Sequence, residues 1–102
     1  MTITELMNTF SIPAGYGAFQ ERQTPPFVLY LGNGQGHFIA DNTVYTKQEQ
    51  YQLEYYFTKK KSAIESEIED KLISDGWLYE KSEDVYIEDQ RMFMIYYTVW
   101  RQ

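Results

Sequence analysis

His37 and Asp41 are the first pair in this chain that could do chemistry, since an imidazole four residues from a carboxylate can act as a general base with an orienting acid. The pair has none of the spacings that nucleophilic catalysis uses. His37 is the one histidine and cysteine is absent, so a transition-metal site would need at least three carboxylates, an unusual ligand set. The reading is no metal site, with His37 a polar hairpin residue. Gly32-Asn33-Gly34-Gln35-Gly36 superficially looks like a phosphate loop, but no Gly-Lys-Ser or Gly-Lys-Thr follows and no helix opens there. It reads as a turn. Glu65 and Glu69 share a helix face and could form a catalytic carboxylate pair, yet no apolar pocket residues lie between them to raise a pKa. No catalytic set and no cofactor site emerges, and the expectation is a protein that is not an enzyme.

Charge patterning points elsewhere. Fifteen acidic against nine basic side chains give a net charge of -6, which disfavours general attraction to phosphate backbones. Glu65, Glu67, Glu69 and Asp70 form one acidic cluster; Glu80, Glu83, Asp84, Glu88 and Asp89 form a second. Such clusters ordinarily mark a solvated face. Lys59, Lys60 and Lys61 make the one basic run, a place to look for an electrostatic contact with an acidic partner. Aromatics are 18% of the residues and ten of them are tyrosine, more than a small sheet buries behind one or two helices. Tyrosine suits a sheet face that is soluble alone and buried against a partner.

The elements that carry these residues follow from hydrophobic period. At 102 residues the chain has room for one domain, 1–102, with one core. No stretch reaches the roughly 18 consecutive apolar residues of a membrane span, and no basic segment precedes an apolar one at the start, so the expectation is a soluble chain without a signal peptide or membrane contact. Absence of cysteine fits a cytosolic or cytosol-assembled product. Ile3, Leu6, Met7 and Phe10 recur at three and four, predicting a short helix capped by Thr2 or Thr4. Tyr16 to Gln20 reads as a short strand. Phe27 to Leu31, apolar on both faces, reads as a central strand, with His37 to Ala40 returning as an antiparallel partner and Asp41-Asn42 as a second turn. From Tyr51 to Thr58, Tyr51, Leu53, Tyr55 and Phe57 alternate with Gln52, Glu54, Tyr56 and Thr58. After the lysines, Ser62 and Glu65 have capping-box spacing, Ile64, Ile68 and Leu72 form a stripe, and Gly76 supplies a left-handed stop. Trp77 to Lys81, Tyr86-Ile87 and Met92 to Trp100 complete the strands. The sum is an α+β fold: a mostly antiparallel sheet with a short N-terminal helix and one longer helix, about residues 62–75, packed on it.

Several segments taken in order give the chain a resemblance. Tyr16-Gly17-Ala18-Phe19, Pro25-Pro26-Phe27-Val28-Leu29-Tyr30, Ala40-Asp41-Asn42 with Tyr45, Tyr51-Gln52-Leu53-Glu54-Tyr55-Tyr56, Lys59-Lys60-Lys61 and the helix holding Glu65 and Glu69, through to Trp100, resemble small proteins from the head-to-tail region of tailed phages and prophages of Gram-positive bacteria. The resemblance implies a virion structural protein, assembled in the host cytoplasm, that acts in tail completion, tail termination or head-tail joining. It further implies a homo-hexameric ring between head-connector and tail-tube proteins, with DNA passing through non-specifically. On that basis Glu65, Glu67, Glu69 and Asp70 are expected to line an acidic bore. Tyr55, Tyr56, Tyr96 and Tyr97, with the Lys59, Lys60 and Lys61 corner, are expected to meet neighbouring subunits or partners. Two other classes fit parts of the pattern: an acidic inhibitor that mimics DNA or binds a host protein, and a small enzyme or ligand-binding domain with Trp77 or Trp100 in its pocket wall.

Overall fold

A computed structural model describes residues 1–19, 21–32, 39–40, 43–44 and 49–101. His37, Asp41 and most of the glycine loop lie outside the described residues, so their readings carry no further. The order is α1 (Ile3–Met7), β1 (Ala14–Tyr16), β2 (Phe27–Gly32), β3 (Ile39–Ala40), β4 (Thr43–Val44), β5 (Glu49–Phe57), α2 (Ser62–Ser74), β6 (Leu78–Lys81), β7 (Val85–Ile87) and β8 (Met92–Arg101). Six strands form one sheet in the order β1-β2-β5-β8-β6, with β7 also on β8; every pairing in it is antiparallel except β1 with β2. The fold is α+β, with a helix packed on the sheet.

Three sequence expectations change. Instead of Tyr16 to Gln20, the first strand is Ala14–Tyr16, and backbone bonds from Val28 N–H to the Pro13 carbonyl and from Gly17 N–H to the Tyr30 carbonyl bracket it. Gly17, at φ +75°, turns the chain directly afterwards, which ends the strand. β2 is interior but sits second from the edge, and its antiparallel partner is β5; Ile39–Ala40 pairs with Thr43–Val44 in a separate two-stranded sheet. The helix at 62 has no capping box. Lys61 is its N-cap, and a lysine side chain has no acceptor to offer; Ser62 lies one place inside the helix, and Glu65 is buried and held by Lys60 and Lys81. A capping box does form at α1, where Thr2 Oγ1 accepts from Glu5 N–H at 3.1 Å and Glu5 Oε1 accepts from Thr2 N–H at 2.8 Å.

Both helices cover one face. Ile3, Leu6, Met7 and Phe10 from the N-terminal segment and Ile68 and Leu72 from α2 meet Val28, Tyr30, Leu53, Tyr55, Phe57, Ile95, Tyr97 and Val99 of the inner sheet face, with Trp77 closing one end and Ile64 packed against the margin. The alternation of β5 and β8 supplies this core directly, since residues two apart share a face. α2 ends in a Schellman motif: Trp77 N–H donates to the Leu72 carbonyl and Gly76 N–H to the Ile73 carbonyl, with Gly76 at φ +83°. That turn swings Trp77 into the core. An added Cβ at Gly76 meets no atom within 4 Å, so substitution there tests backbone conformation alone. Gly76→Ala is expected to lower unfolding free energy by about 1–2 kcal/mol, read from denaturant midpoints, with the fold retained.

Candidate functional site

The two faces of the sheet sort the sequence-derived residues into different chemistries. On the inner face Tyr55 and Tyr97 are 0% exposed, so they have no area left for another subunit. This corrects the expectation that all four tyrosines serve interfaces: alternation sends Tyr55 and Tyr97 under the helices while Tyr56 and Tyr96 go to the opposite face. Glu65 is likewise buried, at 5% exposure, and cannot line a bore. Its Oε1 accepts from Lys81 Nζ at 2.8 Å and Lys60 Nζ at 3.2 Å, and its Oε2 lies 3.1 Å from Lys60 Nζ without a hydrogen-bonding alignment. Lys60 also binds Asp84 at 2.9 Å, joining the first turn of α2 to the acidic corner after β6.

The other acidic helix residues are also largely employed within the chain. Glu69 accepts from Tyr97 Oη at 2.7 Å and Tyr79 Oη at 3.1 Å and pairs with Lys81 at 2.9 Å. Burial alone would raise its pKa, but the Lys81 and Tyr97 hydrogen bonds outweigh that and hold it below the ordinary carboxylate range. Glu67 accepts from the Ser11 hydroxyl and backbone and pairs with Lys71 at 3.2 Å; against its burial, these contacts lower its pKa too. Asp70 is exposed. Only Asp70 of the four expected bore residues therefore remains open to solvent with no ion pair among the described residues.

Sequence reasoning did not single out Arg101. Its guanidinium lies 4.3 Å from the Trp77 ring, donates to Asp75 Oδ2 at 2.9 Å and to the Asp75 carbonyl at 3.1 Å, and pairs with Glu49 at 2.6 Å. It also donates to the Met1 carbonyl. One side chain thus clasps both chain ends to the end of α2. An arginine beyond an apolar strand and an aspartate before a helix-stopping glycine are the sequence signals, but nothing in their spacing announces the contact.

The outer sheet face is the opposite case. No helix of the described residues covers it, yet Phe27, Leu29, Tyr56, Met94, Tyr96 and Trp100 lie on it. Phe27 stacks on Tyr56 with ring centroids 4.9 Å apart. An open groove of about 410 Å³ runs along it, lined among others by Phe19, Arg22, Phe27, Leu29, Tyr56 and Met92. Neither tryptophan lines this groove, and Trp77 is a core residue. In the middle of the face Glu54 accepts from Tyr56 Oη at 2.8 Å and Gln52 Nε2 at 3.2 Å. Burial, followed by this hydrogen bond to Glu54, pushes the Tyr56 hydroxyl above its ordinary pKa and keeps it a donor. Lys59 and Lys61 are exposed and without an ion pair among the described residues, unlike Lys60. No group of three or more His, Cys, Asp or Glu side chains among the described residues is placed to hold a metal, and no helix is long and apolar enough to cross a membrane.

Comparison with protein-family models, curated proteins and solved structures finds no match for this chain.

The inner network makes two sets of predictions. Tyr55 Oη is buried without a hydrogen-bond partner, so Tyr55→Phe is expected to leave stability unchanged or raise it by up to about 1 kcal/mol, while Glu65→Ala costs about 1–3 kcal/mol and Asp70→Asn less than about 0.5 kcal/mol in denaturant unfolding. A large loss from Tyr55→Phe would show that its hydroxyl is satisfied. Glu67 and Glu69 are held below their ordinary value of 4.5, so the stability they add is present above that pH and drains as pH falls through their lower folded values. Burial, then Glu65, pushes Tyr55 up to about 12 from 10.0, and burial, then Glu69, raises Tyr97. Stability held by these two is complete below pH 10.0 and lost as pH rises through their folded values. Thermal melts across pH, with tyrosinate absorbance at the alkaline end, check both limbs.

Proposed function

We propose that this chain is a structural protein of a phage or prophage virion, working in tail completion or head-tail joining as one subunit of a ring between capsid connector and tail tube. The observation that carries the reading is the asymmetry of the sheet: both helices pack on one face, while on the other, which no helix of the described residues covers, Leu29, Tyr56, Tyr96 and Trp100 stay part-exposed beside the buried Phe27 and Met94. A protein whose work is assembly has use for such a face, because aromatic side chains in the centre of an interface carry much of its binding energy. The ordered segments from Tyr16-Gly17-Ala18-Phe19 to Trp100 support the phage assignment by resemblance. In this reading the chain assembles in the host cytoplasm, resides in the virion and lets DNA pass without reading it. The acidic helix is no longer the bore: Glu65, Glu67 and Glu69 hold the subunit together.

The competing inhibitor reading needs the two acidic clusters to form one free anionic stripe. Lys60 sits between them, bound to Glu65 of one and Asp84 of the other, which works against phosphate mimicry at their junction. Disruption of the gene in its phage, followed by electron microscopy of the lysate, tests the virion reading. Full capsids beside unjoined tails are expected for a joining factor, and tails of abnormal length for a terminator. Normal, infectious particles would overturn the proposal.

A further inference from the structure

The outer sheet face, which no helix of the described residues covers, carries a carboxylate at a place where a cover of purely apolar surface would be costly. Strand register sets Leu29 and Tyr96 on either side of Glu54, and alternation along β5 sets Gln52 and Tyr56 before and after it. The hydrogen bonds from Tyr56 and Gln52 are both from neutral donors, so they orient the charge without compensating it. Ion pairs among the described residues use Glu49, Glu65, Glu67, Glu69, Asp75 and Asp84, and none uses Glu54. A partner that buries this face gains by bringing a cation to Glu54, because a buried unpaired charge opposes association and the chain's own Arg22, in the lining of the adjoining groove, makes no ion pair with it.

This requirement selects how a second copy can dock. Two copies packed face to face about a two-fold axis would bring one Glu54 towards another, like charge on like charge. A copy that docks through a different patch can supply Lys59 and Lys61, exposed at the corner between β5 and α2 and unused by ion pairs among the described residues. We infer that the outer sheet face of one copy receives the Lys59 and Lys61 corner of the next, with Glu54 as the anion and Tyr56 and Tyr96 packing along the lysine stems. The apolar stem and charged head of lysine match an aromatic surface with one carboxylate in it. Because the contact joins two unlike patches, it repeats head to tail and closes into a ring when the rotation allows. The inference rests on the ring reading above and names its joint.

Charge-swapped variants of the full chain test it, with native mass spectrometry and sedimentation across concentration as readout and thermal melts as the check on folding. Wild type is expected to assemble, and less well as salt rises. Glu54→Lys alone, and Lys59→Glu with Lys61→Glu together, are each expected to raise the concentration needed for assembly by ~100-fold or more. An equimolar mixture of the two is expected to assemble again, in rings holding equal numbers of each, since each variant now offers the charge the other lacks. Glu54→Gln, which keeps an acceptor for Tyr56 and loses the charge, should weaken assembly by ~10-fold and serves if Glu54→Lys melts early. Assembly of either swapped variant at the wild-type concentration, or a mixture of folded variants that stays monomeric, overturns the inference and leaves the ring reading standing. A wild-type chain that stays monomeric at every concentration, even when mixed with tail tubes, overturns both.

Discussion

The register between β5 and β8 is the constraint on which the rest of this molecule depends. Nine consecutive residue pairs, from Glu49↔Arg101 to Phe57↔Phe93, lock the two longest strands side by side. The side-chain period of a strand is two, so a slip of one residue in this pairing would exchange the faces of one strand relative to the other. Leu53, Tyr55 and Phe57 would then share a face with Met94, Tyr96 and Thr98 instead of Ile95, Tyr97 and Val99. The observed register gives a helix-covered core on one side and a polar-aromatic surface on the other. The burial of Tyr55 and Tyr97 and the placing of Tyr56 and Tyr96 on the other face descend from it.

Burial of Glu65 is the second determining feature, and it follows from where α2 lands on that inner face. A carboxylate among core residues requires cations, and Lys60 and Lys81 reach it from outside, keeping their ammonium groups near solvent. Lys81 passes on to Glu69, and Glu69 binds the hydroxyls of Tyr79 and Tyr97. A single connected network thus joins α2, β6 and β8. Glu65, Glu67 and Glu69, which look available in the sequence, are consumed by the fold, while Asp70 on the helix and Glu54 on an alternating strand are in no ion pair among the described residues.

Local elements were legible wherever one local rule governs them. The strand from Tyr51, the helix from Ser62, its stop at Gly76 and the long C-terminal alternation follow from period and backbone preference, which neighbouring residues decide among themselves. Legibility failed where a distant partner decides. The spacing of Ser62 and Glu65 suits a capping box, but lysines hold the buried Glu65 in place from β6 and from the preceding corner. β2 lies one place from the edge because β1 joins it in parallel, a pairing with no sequence period of its own.

By itself the sequence determined the α+β class, the absence of thiol chemistry, the acidic balance, and the split of each long strand into two side-chain sets. These depend on composition and on periods of two and about four, properties of the chain before it folds. Only the tertiary structure decided which set lies under the helices, since that depends on where α1 and α2 pack. It placed Tyr55 and Tyr97 in the core, left Tyr56 and Tyr96 outside, and joined Lys60 to acids in two clusters while its neighbours stayed free of ion pairs among the described residues. The physical reason is that burial and charge pairing are long-range outcomes, set by surfaces brought together from distant parts of the chain.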